Sequence, residues 1–98
     1  MRRIEPTRAA LADFDAIYDH IAKENPRAAE DILRDMDHAI QRLVQQPKLG
    51  RIYRSRQLRF RLLVHGHYLI FYRERPGVIE LVRVLDGRRN IPDILDEI

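Results

Sequence analysis

Leu58-Arg59-Phe60-Arg61-Leu62-Leu63-Val64, then His65-Gly66-His67, then Tyr68-Leu69-Ile70-Phe71-Tyr72 is the stretch whose reading decides the fold. From Gln57 the apolar period is two. Leu58, Phe60, Leu62 and Val64 alternate with Arg59, Arg61 and Leu63, which is the pattern of a strand with one buried face. His65-Gly66-His67 supplies a turn, and the uninterrupted run Tyr68 to Tyr72 predicts a central strand covered on both sides. Arg75-Pro76-Gly77 turns the chain again into a last strand, Val78 to Leu85, whose charged members Glu80 and Arg83 fall on opposite faces. One face of this three-stranded antiparallel meander is expected against helices and the other against a partner.

Upstream the period changes to that of helices. Ile4 sits in a short edge strand ended by Pro6, and Thr7 offers its side-chain oxygen as a helix cap. Leu11, Phe14, Ile17, Tyr18 and Ile21 then recur at three- and four-residue steps, predicting a helix over Arg8 to Lys23, with Asp13, Asp15 and Asp19 largely off the apolar face. Asn25-Pro26 restarts a helix, because asparagine caps and proline at the first position forfeits no needed hydrogen bond. Its apolar face is Ala29, Ile32, Leu33, Met36, Ile40, Leu43 and Val44, and Pro47 with Gly50 ends it. The Glu24-Asn25 link is short enough to force an antiparallel hairpin. The fold class is therefore α+β: a short strand, a helical hairpin and the meander, in two layers.

Composition bounds what such a domain does. The 98 residues fit one domain, 1–98, and the absence of cysteine removes disulfides and thiolate metal sites. Met1-Arg2-Arg3-Ile4-Glu5-Pro6 leads into no apolar run, so neither a signal peptide nor a membrane span is readable, and the chain is expected to be soluble and cytoplasmic. Residues 1–50 carry eight basic and nine acidic side chains, and residues 51–98 ten and six, giving the halves −1 and +4. All ten basic residues of the second half are arginine, the planar fork that grips carboxylate or phosphate with two parallel bonds. An acidic protein or a nucleic acid is the implied partner.

No cofactor or metal is called for. His65 and His67 lack a third ligand at recognisable spacing, His20 and His38 sit on separate helices, and neither a glycine-rich phosphate loop nor a nucleophile motif is present. Tyr53 with the arginines between Arg54 and Arg59 would suit a nucleic-acid track, but a single aromatic there gives little base stacking.

Several pieces together resemble the RelE/ParE superfamily of bacterial toxins from type II toxin–antitoxin pairs. They are Ala12-Asp13-Phe14 with Ile17 and Ile21, Asn25-Pro26 with Ala28-Ala29, Pro47-Lys48-Leu49-Gly50-Arg51, Arg61-Leu62-Leu63-Val64, Tyr68 to Arg73, and Ile79 to Leu85 followed by Arg88-Arg89. The resemblance covers nearly the whole chain and implies the RelE/ParE-like two-layer fold. Two activities live on it: RelE-like members cut messenger RNA on the ribosome, whereas ParE-like members poison DNA gyrase without an established catalytic site. RelE-like nucleases carry a tyrosine or histidine soon after the last strand, where this chain reads Asp86-Gly87-Arg88-Arg89-Asn90.

The ParE-like branch is therefore the expected one, a gyrase inhibitor that arrests growth and is not an enzyme. Arg59, Arg61, Arg73, Arg83, Arg88 and Arg89 are the candidate target-binding residues. A ribosome-dependent endoribonuclease is the alternative, with Arg61 and Arg83 stabilising phosphate and Asp86 or a histidine as the base, although a carboxylate beside Arg88 and Arg89 should be a weak one. A third reading is an inactive relative that only co-represses its operon. The resemblance also implies a cognate acidic, ParD-like antitoxin with a DNA-binding N-terminal part, forming a hetero-oligomer whose wrapped segment meets the toxin near Tyr18 and Tyr72.

Overall fold

The computed structural model describes residues 2–55 and 58–95. Its elements are β1 (Arg3–Pro6), α1 (Arg8–Ala22), α2 (Pro26–Gln41) with a 3₁₀ turn at Arg42–Val44, β2 (Arg51–Ser55), β3 (Leu58–His65), β4 (Tyr68–Arg75), β5 (Val78–Asp86) and α3 (Ile91–Leu95). Both predicted caps form. Thr7 Oγ1 accepts the Ala10 N–H at 3.0 Å and donates to the Val82 carbonyl at 2.9 Å, so one hydroxyl starts α1 and ties it to β5. Asn25 Oδ1 accepts the Ala28 N–H at 3.0 Å, with Pro26 opening α2.

The sheet order is β1-β5-β4-β3-β2, antiparallel throughout except for the parallel β1–β5 pair. The meander thus has four strands rather than three. The added β2 is an edge strand whose arginines, Arg51 and Arg54, are exposed, so it carries little apolar signal. Gln57, the expected start of the following strand, and Arg56 of the basic track lie outside the described residues. Gly66 and Gly77, at φ 60° and 71°, take the left-handed conformation that the two hairpin turns require.

Two apolar layers hold the sheet. On the helical side Ala10, Met36, Ile40 and Leu43 pack on Ile70, Tyr72, Ile79, Leu81 and Val84. On the other side Phe60, Leu62, Phe71, Val82 and Leu85 form a second cluster closed by Ile91 and Leu95 of α3. The second face, expected to be left for a partner, is therefore partly covered by the chain's own C-terminal helix. Ile70, Phe71 and Tyr72 are all 0% exposed, as a strand covered on both sides requires. Complete burial of side chains of this size contributes about 2 kcal/mol each. Val64 departs from the alternation at 56% exposed, being next to the last residue of β3, while Leu63 packs toward the helices. A register shift sets Phe71 opposite Arg83 and Tyr72 opposite Leu81, so Val82 is the extra residue of a bulge.

Candidate functional site

At the end of the sheet where β3 begins and β4 finishes, a cleft of about 350 Å³ is lined by Lys48, Ile52, Arg59, Phe60, Arg61, Arg73 and Glu74. Strand alternation sets Arg59 and Arg61 on one side of β3, and Arg61 lies opposite Ile52 on β2 and Tyr72 on β4. Among the described residues neither arginine is in an ion pair; Arg61 Nη1 instead donates to the Gly50 carbonyl at 2.8 Å. A buried tyrosine holds the same glycine. The Gly50 N–H donates to Tyr72 Oη at 2.8 Å, and the Tyr72 hydroxyl donates to the Pro47 carbonyl at 2.9 Å. A Cβ at Gly50 would stand 2.7 Å from Tyr72 Oη and 2.8 Å from the Leu62 carbonyl, so only glycine fits. Glu74 is the cleft's one carboxylate among the described residues, and it is ion-paired with Arg2 at 3.0 Å.

Of the remaining described arginines, Arg73 also lines the cleft and the others are distributed elsewhere. Arg73 is bound to Glu80 at 2.5 Å, and Arg75 reaches the same carboxylate at 3.3 Å. Arg83 is engaged fork to fork with Asp13 of α1 at 2.7 and 2.8 Å, and the side chains of the pair are only 17% and 10% exposed. Arg88 and Arg89 follow β5 at the far end. Asp86 pairs with Tyr68 on β4 while Arg61 lies opposite Tyr72, four residues along the strand, about 13 Å at ~3.3 Å per residue. Arg61, Arg83 and Asp86 are thus not brought to one reacting centre.

Asp86 accepts the Arg88 backbone N–H at 2.9 Å and the Arg88 guanidinium at 2.9 and 2.5 Å. Those bonds, the guanidinium first, hold its carboxyl well below the usual carboxylate range, with His67 adding to the effect. It is a turn aspartate with its acceptors occupied. Arg89 lines a separate cavity of about 220 Å³ with Asp13, His20, Tyr68 and Asp86. Among the described residues no group of three or more histidine or acidic side chains could hold a metal ion.

On the helical side an apolar groove of about 260 Å³ runs between β1 and the hairpin, lined by Ile4, Pro6, Phe14, Leu33, Asp37, Ile40 and Leu81. Tyr18 is 36% exposed on α1, whereas Tyr72 is wholly internal and serves as the Gly50 clamp. Lys48, Gly50, Glu74 and Asp13 are the residues that sequence reasoning did not place in a site. The Pro47-Lys48-Leu49-Gly50-Arg51 run carried the signal for the first two. Asp13 could have been found from its spacing to Ala10 and Ile17, which puts it on the sheet-facing side of α1.

The chain has relatives among known proteins. Residues 4–91 match the family described as ParE toxin of type II toxin–antitoxin system, parDE. Toxin ParE1 of Mycobacterium tuberculosis is 34% identical over 79 residues, covering 80% of this chain and 78% of the relative. Toxin RelE2 of Caulobacter vibrioides is 33% identical over 89 residues, covering 91% and 99%. A solved structure titled as the chromosomal ParDE TA system from P. aeruginosa superposes with a TM-score of 0.72 at 27% identity, covering 86% of this chain and 94% of that one.

Proposed function

This chain belongs to the ParE toxin family of type II toxin–antitoxin systems, and we propose that it arrests growth by binding DNA gyrase, contributes no bond-making step, and is silenced by a cognate antitoxin. The observation that carries this reading is the cleft itself: Lys48, Arg59 and Arg61 gather cations there, while the one carboxylate beside them among the described residues is engaged by Arg2. Such a surface binds phosphate or carboxylate but lacks a disengaged proton acceptor. The site of action is then the cytoplasm. No helix among the described residues is long and apolar enough to cross a membrane.

Antitoxin binding is supported by the groove at Phe14, Leu33 and Ile40, which suits an amphipathic segment of the antitoxin. The superposed structure is itself titled as a toxin–antitoxin system. Arg59 and Arg61 are the target contacts this reading favours, with Arg73 in the same cleft but held by Glu80, Arg88 and Arg89 as outlying contacts, and Arg83 as a support for the fold. One observation favours a second reading, a ribosome-dependent mRNA interferase: Glu74 shares the cleft with the arginines, and release from Arg2 would free a base to take a 2′-hydroxyl proton. Purified chain incubated with gyrase and supercoiled plasmid, beside programmed ribosomes with a labelled message, separates the two. Cleaved-DNA complexes support the first reading, and message cut with gyrase untouched supports the second.

A further inference from the structure

We propose that Tyr72 is a positioning residue that straps the Pro47–Gly50 loop to the sheet and so presents Lys48 and Arg61 together to a phosphodiester of a nucleic-acid strand. This rests on the reading that the cleft binds its target. The loop between the 3₁₀ turn and β2 is short and polar at Lys48. One phenol holds both of its ends, accepting from the Gly50 N–H at 2.8 Å and donating to the Pro47 carbonyl at 2.9 Å. Lys48 lies between those two anchors. Arg61 completes the strap from the neighbouring strand by donating to the Gly50 carbonyl at 2.8 Å.

The arrangement has the marks of a built site. Gly50 is buried, and any side chain there would collide with Tyr72 Oη and the Leu62 carbonyl, so the close approach depends on this one residue. A single Nη1–H of Arg61 is spent on the loop, which leaves further N–H groups of its guanidinium for an anion. Arg59 stands two residues away on the same side of β3. Besides the Glu80-bound Arg73, three cations spaced along the cleft, one on a fixed loop and two on a strand, suit a chain of phosphates better than a single carboxylate. Fixing the loop beforehand removes an ordering cost that binding would otherwise incur.

The test is binding of purified full chain to a fluorescent DNA duplex of about twenty base pairs over a range of salt, for the unaltered protein, Tyr72→Phe, Lys48→Ala and the double variant. Tyr72→Phe keeps the buried ring and deletes the strap. With about three phosphates neutralised, the slope of log K against log salt should be near −3 for the unaltered chain and near −2 for each single variant. Each single change should weaken binding about tenfold and the pair little more than either alone, because the strap acts through Lys48. Antitoxin binding should be unchanged in all four. Should Tyr72→Phe fail to fold, Arg61→Lys serves in its place, since it keeps the charge and loses the Nη1 bond to the Gly50 carbonyl. Effects that multiply in the double variant, a Tyr72→Phe protein that binds as the parent does, or no binding by the parent would each overturn the proposal. Gyrase assays on the same samples keep the two readings apart: DNA binding with the non-additive pattern but no gyrase inhibition removes the target and leaves the strap.

Discussion

Asp13 and Arg83 meet fork to fork across the α1–β5 interface, at 2.7 and 2.8 Å, and Asp13 Oδ2 also accepts the Val84 N–H at 2.9 Å. One carboxylate therefore satisfies a guanidinium and the edge of a strand at the point where β1, whose last pair is Pro6 with Leu81, has ended. Removing one partner of a buried pair leaves the other uncompensated. Asp13→Asn is expected to destabilise the fold by about 3 kcal/mol in urea unfolding. Arg83→Ala should lose toxicity through the same loss of stability, so its activity at low temperature, where the fold is retained, should approach that of the parent.

The phenol of Tyr72 is pushed up from its ordinary pKa, chiefly by burial, although the Gly50 N–H and Arg61 pull the other way. A raised pKa in the folded state means a contribution that is fully present below the unfolded value of about 10 and is lost as pH rises beyond it. Melting temperatures measured from pH 8 to 11 should fall less steeply above pH 10 in Tyr72→Phe than in the parent. Some slope should persist, because burial also raises the Tyr68 phenol.

At the other end of the scale, Asp86 has its pKa depressed by Arg88. Its contribution is present above the unfolded carboxylate value of about 3.9 and is lost as pH falls below it toward the folded value. Asp86→Asn should therefore lower stability at pH 7 by the amount that the acid limb below about pH 4 flattens, with stability at the acid end little changed. Parallel acid limbs in parent and variant would show that the turn pair does not stabilise the fold.

Periodicity made most of this architecture legible. The hydrophobic spacing and the caps at Thr7 and Asn25 placed both helices, and the uninterrupted run at Tyr68 to Tyr72 marked the central strand. β2 was missed because an edge strand flanked by arginines has one apolar side at most, and α3 because five residues containing Pro92 give no helical period. The site was less legible, since the arginines that composition grouped together are divided by the fold between the cleft, the Asp13 pair and the turn after β5. Which arginine lacks a carboxylate partner is a long-range property: Asp13 and Arg83 are seventy residues apart in sequence.

For the antitoxin, the groove makes a separate prediction. Leu33→Glu places a charge beside Asp37, one turn away on α2, in a lining that is otherwise apolar. Antitoxin affinity measured by calorimetry should fall at least tenfold, about 1.4 kcal/mol, while inhibition of the target persists. Unchanged affinity would move the docking surface elsewhere.

The most direct measurement is the yield of cleaved-DNA complexes formed by gyrase and supercoiled plasmid with the parent chain and with an Arg59→Ala, Arg61→Ala double variant. The account predicts complexes with the parent, a loss of about a hundredfold in potency for the double variant at roughly tenfold per charged contact, and intact message in the ribosome assay for both. Message cut by the parent, with gyrase unaffected and the cutting abolished by Glu74→Gln, would contradict it.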